Sequence, residues 1–228
     1  MTMSILTAYK NITLAIVNWV NAPRGYTYDQ YRNKILLKPA QQQQFIDTAK
    51  MVADCRLALG TLGELSLRLS PHQLVINAQG SHLAYLTETD LVTCSTLPGK
   101  SGEEAAPHLN WHRLIYRETP ARSVLFCHPP YTLTLANAAR LPFQEIAPEI
   151  GAVIGGVNLI KPSDLTEANL AEAVQQNHVI LVPQLGALVW GDSMVNTLAR
   201  ADALEFVSQL TTIACHTGLI PTLSIKNQ

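Results

Sequence analysis

Two histidines have the side chain and the spacing for acid–base or metal chemistry. His108 and His112 are four residues apart, so they lie on one face if this segment is a helix. A pair of imidazoles on one face could transfer protons or bind a cation. The same spacing also fits one exposed histidine beside one hydrogen-bonded core histidine, and both interpretations stay open here.

A third histidine, His128, ends the apolar segment SVLFCH just before two prolines. The apolar run predicts a buried strand that the prolines terminate. His128 is then either a hydrogen-bonded structural histidine or a metal ligand. A metal site built from His108, His128 and Glu64 is a further hypothesis.

The segments on either side predict the strands that position these residues. Leucines alternate with polar residues in ELSLRLS (64–70), which is typical of a half-buried strand. QLVINAQG (73–80) follows as its hairpin partner, and DLVTCST (90–96) is a third short strand. Glu64 would therefore stand at the start of the first strand.

Helical spacing marks two segments in the first half of the chain. Apolar residues recur at this spacing from Phe45 to Leu59, and Gly60 stands where a helix stop is expected. A second helix is expected from about Pro107 to Glu118. It would carry His108 and His112.

The second half continues with strands and helices. Three strands are expected in GAVIGGVNLI, HVILV and GALVWG. Ser163 or Asp164 could cap a helix that runs to about Gln176, and a long helix begins near Met194. Strands in runs and helices in blocks indicate an α/β fold in which helices cover a mixed sheet. The simplest division is an N-terminal extension, 1–38, packed on one domain, 39–228.

Composition narrows the range of functions. The chain has 228 residues, 47% of them apolar, and a formal net charge of -1. This near-neutral balance excludes a nucleic-acid-binding arm or a polybasic membrane patch as the main device. Only 14% of residues are charged, against about 25% in typical domains, which suggests that part of the surface is covered in an oligomer.

Cysteine usage and hydropathy indicate a cytoplasmic protein. The four cysteines are widely spaced and form no CxxC pair, so neither a disulfide framework nor a cysteine zinc site is expected. The longest lipid-like stretch, 12–20, has nine residues, far short of the roughly 20 that span a membrane. No signal peptide is predicted.

Several segments, in order along residues 45 to 210, resemble the motifs of one enzyme family. They are GELSLR (63–68), NAQG (77–80) followed by LTETDLV, HLNWHRLIYRETP, FCHPPYTLTLA (126–136) and PQLGALVWG (183–191). Together they resemble the class II aldolase/adducin family. The resemblance implies a three-layer α/β/α sandwich around a mostly antiparallel mixed sheet, a homo-oligomer, usually a tetramer, and a sugar-like or small carbonyl ligand.

Active members of that family bind a divalent metal through three histidines that polarise a carbonyl. The matching positions here hold Phe126, His128 and Leu185. His128 is thus the sole retained ligand position, and side chains of phenylalanine and leucine offer a cation no lone pair. We therefore expect no cofactor, with zinc or another divalent metal as the alternative.

The resemblance also implies a set of pocket residues and an altered phosphate site. The pocket residues are Gly63, Glu64, Ser66, Asn77, Gly80 and Tyr131. Glu64 replaces an asparagine, and Ala106 and Pro107 replace two serines of the family's phosphate site. A carboxylate there would repel a phosphate by about 4 kcal/mol per charge pair at an effective dielectric constant of about 20. A phosphorylated substrate is therefore disfavoured.

The family's catalytic glutamate aligns with His108 when no gap is allowed before His112. In another register, KSGEE matches the glutamate motif, and Glu103 or Glu104 is the acid. The resemblance thus implies an aldehyde-lyase fold with reduced or lost retro-aldol activity. The alternatives are a non-catalytic, adducin-like binding or assembly module and a lyase or epimerase that acts on an unphosphorylated carbonyl compound.

Overall fold

The computed structural model describes residues 37–98 and 104–219. The predicted N-terminal extension lies outside the described residues, apart from Leu37 and Lys38. Leu37 is buried in the core that the first helix shares with the sheet.

A seven-stranded mixed sheet with the order β3-β2-β1-β4-β7-β6-β5 forms the centre of the fold. The strands are β1 (Glu64–Ser70), β2 (Gln73–Asn77), β3 (Leu91–Ser95), β4 (Ser123–Cys127), β5 (Val157–Leu159), β6 (Val179–Val182) and β7 (Gly186–Gly191). Neighbouring strands are antiparallel except for β5 and β6, which are parallel. The predicted mostly antiparallel mixed sheet is confirmed.

Helices cover both faces of this sheet. In the described residues they are α1 (Pro39–Asp54), α2 (Leu109–Glu118), α3 (Pro130–Asn137), α4 (Pro148–Ile154), α5 (Glu167–Gln176) and α6 (Met194–His216). Side chains of α1, α3, α4 and α6 share one buried apolar cluster with the sheet, and those of α2 and α5 share the other. The three-layer α/β/α arrangement is therefore confirmed. Within the described ranges, no helix is both long and apolar enough to cross a membrane.

The central strand β4 shows how one segment serves both layers. Leu125 and Cys127 belong to the cluster under α1 and α6, whereas Val124 and Phe126 belong to the cluster under α2 and α5. Successive side chains of a strand point to opposite faces. Cys127 consequently points away from Phe126.

The first helix is shorter than its apolar pattern predicted. It ends at Asp54, and Arg56 adopts the left-handed backbone conformation with φ 58°. The N–H of Leu57 then bonds to the carbonyl oxygen of Val52 at 3.0 Å, which terminates the helix. Leu59, predicted as part of the buried face, is 74% exposed.

The GAVIGGVNLI segment is only partly a strand. Its first residues form the last part of the helix α4. Pro148 begins this helix and Gly155, with φ 73°, ends it, because proline is favoured in the first turn and glycine in the left-handed position after the last turn. Only Val157–Leu159 pairs with the sheet. The cap of α5 also differs from the prediction, because Thr166 accepts a 3.1 Å bond from the N–H of Asn169.

The sequence did not predict α3, which follows His128 directly. Glu205 of α6 accepts hydrogen bonds at its start from the N–H groups of Tyr131 and Thr132, both at 2.9 Å. A carboxylate at this end of a helix is stabilised by the free N–H groups and the helix dipole. This contact comes from far along the chain, so local sequence patterns do not reveal it.

Candidate functional site

A row of polar side chains on β1 faces a matching row on α2. Glu64, Ser66 and Arg68 form the row on the strand. The facing row consists of His112 and Tyr116 on the helix and His108 at the position directly before it. Two residues of a strand advance about 6.6 Å, and four residues of a helix advance about 6 Å. The two rows therefore remain in step over their whole length.

Glu64 begins this row and is only 3% exposed. Its Oε1 lies 2.6 Å from Nδ1 of His108, and the backbone N–H of His108 donates to both carboxylate oxygens at 3.1 and 3.3 Å. Nε2 of His112 lies 3.5 Å from Oε2. Burial alone would raise the pKa of Glu64, but the charge and hydrogen bonds of His108, together with the nearby His112 ring, outweigh it and lower this pKa to about 2.

His112 continues the row and is fully buried. Burial lowers its pKa, and Glu64 opposes that shift only in part, so the ring is neutral near neutral pH. Nδ1 of His112 and the Tyr116 hydroxyl each lie 2.7 Å from Oγ of Ser66. In a consistent arrangement Tyr116 donates to Ser66 and Ser66 donates to Nδ1 of His112. Nε2 of His112 then faces Glu64 Oε2 at 3.5 Å without a hydrogen bond among the described residues.

Arg68 closes the row at the far end of α2. Its guanidinium lies over the Tyr116 ring, 4.8 Å from the ring centroid, and Nη2 donates to the carbonyl oxygens of Tyr116 and Thr119. A cation at the C-terminus of a helix is favourable because the free carbonyl groups carry partial negative charge. The row therefore joins strand and helix from end to end.

Ser66, His112 and Glu64 have the connectivity of a hydrolase triad but not its access. A nucleophilic serine must reach a substrate carbonyl, whereas Ser66 is fully buried and pairs on both sides with Ile76 and Val124. The geometry gives Ser66, a predicted pocket residue, a structural place in the row. This role was not predicted from the sequence. The polar alternation in β1 and the four-residue spacing from His108 to His112 to Tyr116 are the features that could have indicated it.

Asn77 holds the beginning of β1. Its Oδ1 accepts from the N–H of Leu65 at 2.7 Å, and its Nδ2 donates to the carbonyl oxygen of Gly63 at 3.2 Å and to Oγ of Ser81 at 3.0 Å. Both ends of the amide are thus engaged by the protein. Asn77, predicted as a pocket residue, fixes the position from which Glu64 projects.

Replacement of Asn77 by alanine is expected to lower the free energy of unfolding by about 2 to 3 kcal/mol, because buried backbone groups of Gly63 and Leu65 lose their partner. Urea denaturation of the variant measures this loss. Ser81→Ala is the matched control and should cost about 1 kcal/mol. Equal losses in both variants would contradict the role assigned to Asn77.

The remaining predicted pocket residues lie apart from the row. A Cβ on Gly63 would approach Cβ of Ala58 and Cδ1 of Leu83 to 2.6 Å, so close packing explains this glycine. Gly80 has φ 75° in an exposed turn. Tyr131 is 37% exposed at the start of α3. The structure therefore brings together Glu64, Ser66 and His108, but not Gly80.

An aromatic cluster stands beside Glu64 and includes two of the candidate histidines. The ring centroid of Phe126 lies 4.4 Å from that of His108 and 4.9 Å from that of His128. Trp111 stacks on His108 at 4.2 Å and contacts the edge of Phe126 at 5.5 Å. The Phe126 side chain, which projects from β4, thus contacts both imidazoles and lies between the sheet and the helix layer.

His128 is held mainly by backbone groups. Its N–H donates to the carbonyl oxygen of Leu57 at 2.7 Å, and the backbone of Leu185 is near enough to favour the protonated ring. Burial, followed by the charge of His108, lowers the pKa of His128 to about 4. Its Nδ1 is buried without a partner among the described residues.

The residues that the resemblance matches to the family's three ligand positions do not fit a metal ion. Phe126 and Leu185 are buried and supply no lone pair. A Cβ on Gly186 would lie 2.7 Å from Cε2 of Phe126, so the phenyl ring fills its space closely. Across residues 37–98 and 104–219, no group of three or more histidine, cysteine, aspartate or glutamate side chains could hold a metal.

A rearranged site of His108, His128 and Glu64 is not supported either. Both oxygens of Glu64 accept hydrogen bonds from His108, and Nδ1 of His108 points to Glu64 rather than to His128. In the other sequence register, Glu104 is exposed and Glu103 lies outside the described residues. His108 is therefore the aligned residue that the structure places in the candidate site.

Comparisons with known proteins identify the family. Residues 43–212 match the family described as Class II Aldolase and Adducin N-terminal domain. A methylthioribulose-1-phosphate dehydratase from Gluconobacter oxydans is 28% identical over 64% of this chain and 79% of its own length. A probable bifunctional methylthioribose-1-phosphate isomerase/methylthioribulose-1-phosphate dehydratase from Nocardia farcinica is 27% identical over 66% of this chain, which spans 31% of that protein.

Solved structures show the same fold. The L-fuculose-1-phosphate aldolase from Thermus thermophilus superposes with a TM-score of 0.68 at 22% identity, covering 82% of this chain and 100% of that one. The family match includes every strand of the sheet and the β1–α2 row. This chain belongs to the class II aldolase and adducin N-terminal domain family.

Proposed function

We propose that this family member has lost the metal-dependent retro-aldol reaction and uses the fold as a non-catalytic module for binding or assembly. The observation that carries the proposal is the Phe126 ring in contact with both His108 and His128. This ring stands at a ligand position, and Leu185 stands at another. Electrostatic stabilisation of a developing enolate has no cationic centre when these side chains replace imidazoles.

The ligand proposed for this module is a sugar-like or carbonyl compound without a phosphate group. The relatives named above act on phosphorylated sugars according to their names. Here the carboxylate of Glu64 already accepts from the backbone N–H and from Nδ1 of His108, and Ala106 and Pro107 supply no hydroxyl group, so these positions leave a phosphate few hydrogen-bond donors. We further propose a cytoplasmic homotetramer, following the family resemblance and the low charged fraction.

The direct test is a screen of sugar phosphates and short aldehydes for retro-aldol cleavage by the full chain with added zinc, manganese or cobalt. Rates at the uncatalysed background are expected. An L-fuculose phosphate aldolase assayed in parallel is the positive control. A rate well above background that disappears on chelation and in His128→Ala would overturn the proposal.

A second candidate is a metal-independent lyase or epimerase for unphosphorylated carbonyl compounds. It is favoured by His108, whose side chain is 12% exposed while its Nδ1 bonds to Glu64. An imidazole held by a carboxylate can act as a general acid or base. Turnover that persists with chelator but is lost in His108→Gln would support this candidate over the non-catalytic module.

A further inference from the structure

We infer that a cleft at the opposite end of β1 from Glu64 binds a small organic dicarboxylate. The cleft has a volume of about 230 Å³, and Arg68 and Arg122 are among the residues that line it. Arg68 stands four residues after Glu64 on β1, so about 13 Å of strand separate the cleft from the candidate site. The inference goes beyond the proposed function and does not depend on it, because neither a metal nor turnover is involved.

The two arginines are neighbours where β1 ends and β4 begins. The N–H of Arg68 donates to the carbonyl oxygen of Arg122 at 2.8 Å, and the N–H of Arg122 donates to that of Gly191 at 2.8 Å. Burial and, to a smaller extent, the charge of Arg122 lower the pKa of Arg68. Like charges side by side on neighbouring strands are destabilising, and proteins keep such conflicts mainly at functional sites.

No carboxylate within residues 37–98 and 104–219 forms an ion pair with either arginine. Asp192 also lines the cleft, but its carboxylate already accepts hydrogen bonds from two side chains at the start of α6, at 2.6 and 3.3 Å. Residues 1–36 contain one acidic side chain and four basic ones, which makes them a poor source of negative charge. A bound anion would supply the charge that this pair lacks.

The two arginines would contribute to binding in different ways. The guanidinium of Arg68 lies over the Tyr116 ring and donates to carbonyl oxygens at the end of α2, so it provides a positive charge in a fixed position. Arg122 is exposed, and its side chain has no hydrogen-bond partner in the part of the chain that the structure describes. Its guanidinium can therefore turn to a carboxylate and bind both oxygens.

The other walls of the cleft favour an organic anion over an inorganic one. Leu67, Leu69 and Met194 give the cleft an apolar side, and Gln44 adds an amide group. The volume lies below the roughly 300 Å³ at which pockets for drug-sized ligands begin, so a compact ligand is expected. A four-carbon dicarboxylate offers two anionic groups to the arginines and a short hydrocarbon chain to the apolar side.

The experiment is thermal denaturation of the full chain with sodium succinate, compared with inorganic phosphate and with sodium chloride at equal ionic strength. Succinate at about ten times its Kd is expected to raise Tm by about 3 °C or more for a chain of this size. Arg122→Gln should lose this response. Arg122→Lys keeps the charge without the planar pair of donors and should retain part of it.

Arg56→Gln is the matched control, because it removes the same charge from another exposed arginine. Arg56 follows the last residue of α1, whereas the cleft contains Gln41 of its first turn, and this length of helix measures roughly 20 Å. The control should respond to succinate as wild type does. Isothermal titration calorimetry of wild type with succinate gives the Kd without relying on any variant.

Each outcome decides the inference. A saturable succinate response in wild type and Arg56→Gln that is absent from Arg122→Gln supports it. If Arg122→Gln does not fold, weaker succinate binding by Arg122→Lys than by wild type supports it. It is overturned by an equal response in Arg122→Gln, by a larger response to phosphate than to succinate, or by no saturable response of wild type up to about 10 mM, ten times the Kd of a millimolar site.

Discussion

Glu64→Gln is expected to lower the free energy of unfolding near neutral pH by about 3 kcal/mol, the largest loss we expect from a nearly isosteric change in this chain. The carboxylate is buried, and the histidines lower its pKa from 4.5 to about 2. That shift measures how much better the folded protein stabilises the ionised form. Glutamine keeps the volume but removes the charge that His108 and His112 face.

The pH dependence of this loss has a definite sign. Because the pKa of Glu64 is lower in the folded chain, its contribution is fully present above about pH 5 and disappears as the pH falls towards about 2. Burial lowers the pKa of His112 and of His128, and these groups destabilise both proteins in acid. The difference between the two stability curves therefore isolates the effect of Glu64 to a first approximation.

Urea denaturation of both proteins between about pH 7 and pH 3 measures that difference. We expect the two curves to converge as the pH falls. Glu167→Gln is the control, because its ion pair with Arg117 lies on the surface at 3.0 Å with half-exposed partners, and such pairs contribute about 1 kcal/mol or less. A pH-independent gap between wild type and Glu64→Gln would contradict the ionised state assigned to Glu64.

The double variant Phe126→His, Leu185→His is expected to bind zinc at least about a hundredfold more tightly than wild type. Residues 126 and 128 face the same side, as the 4.9 Å contact between their rings shows. The Cα atoms of two histidines that are two residues apart on a strand lie about 6 to 7 Å apart, and their imidazoles can converge on one ion. The backbone of Leu185 is near enough to influence the pKa of His128, so an imidazole at position 185 would lie near that of His128.

A competition titration with a chromogenic chelator measures zinc affinity, and metal analysis after dialysis measures stoichiometry. The single variants Phe126→His and Leu185→His are the controls, and each should bind more weakly than the double variant. His128→Ala in the double-variant background should abolish the gain. Wild-type zinc binding as tight as that of the double variant would contradict the view that hydrocarbon side chains have removed the site.

Local patterns in the sequence predicted most of the fold because they report directly on burial. Alternating leucines marked β1, the apolar SVLFC run marked β4, and the family motifs gave the three layers. The boundaries were less accurate, as with α1, which ends at Asp54 rather than near Gly60. The left-handed turn at Arg56 decides that end, and no residue type there requires it.

The candidate site was only partly predictable from the sequence. At the two positions that the resemblance matches to family ligands, Phe126 and Leu185 could be excluded as ligands at once, since a side chain that lacks a lone pair cannot bind a metal in any conformation. Glu64 was expected to face an open phosphate site and repel the ligand. The structure instead buries it against His108, so its charge is balanced inside the protein.

The sequence by itself determined the fold class, the family and the presence of side chains without a lone pair at positions 126 and 185, because each depends on residue identity and periodicity. Only the tertiary structure decided the partners of Glu64, His112 and Ser66. Their contacts join β1 to α2 across more than forty residues of chain, and the match of strand and helix repeats that aligns them exists only once both elements are packed.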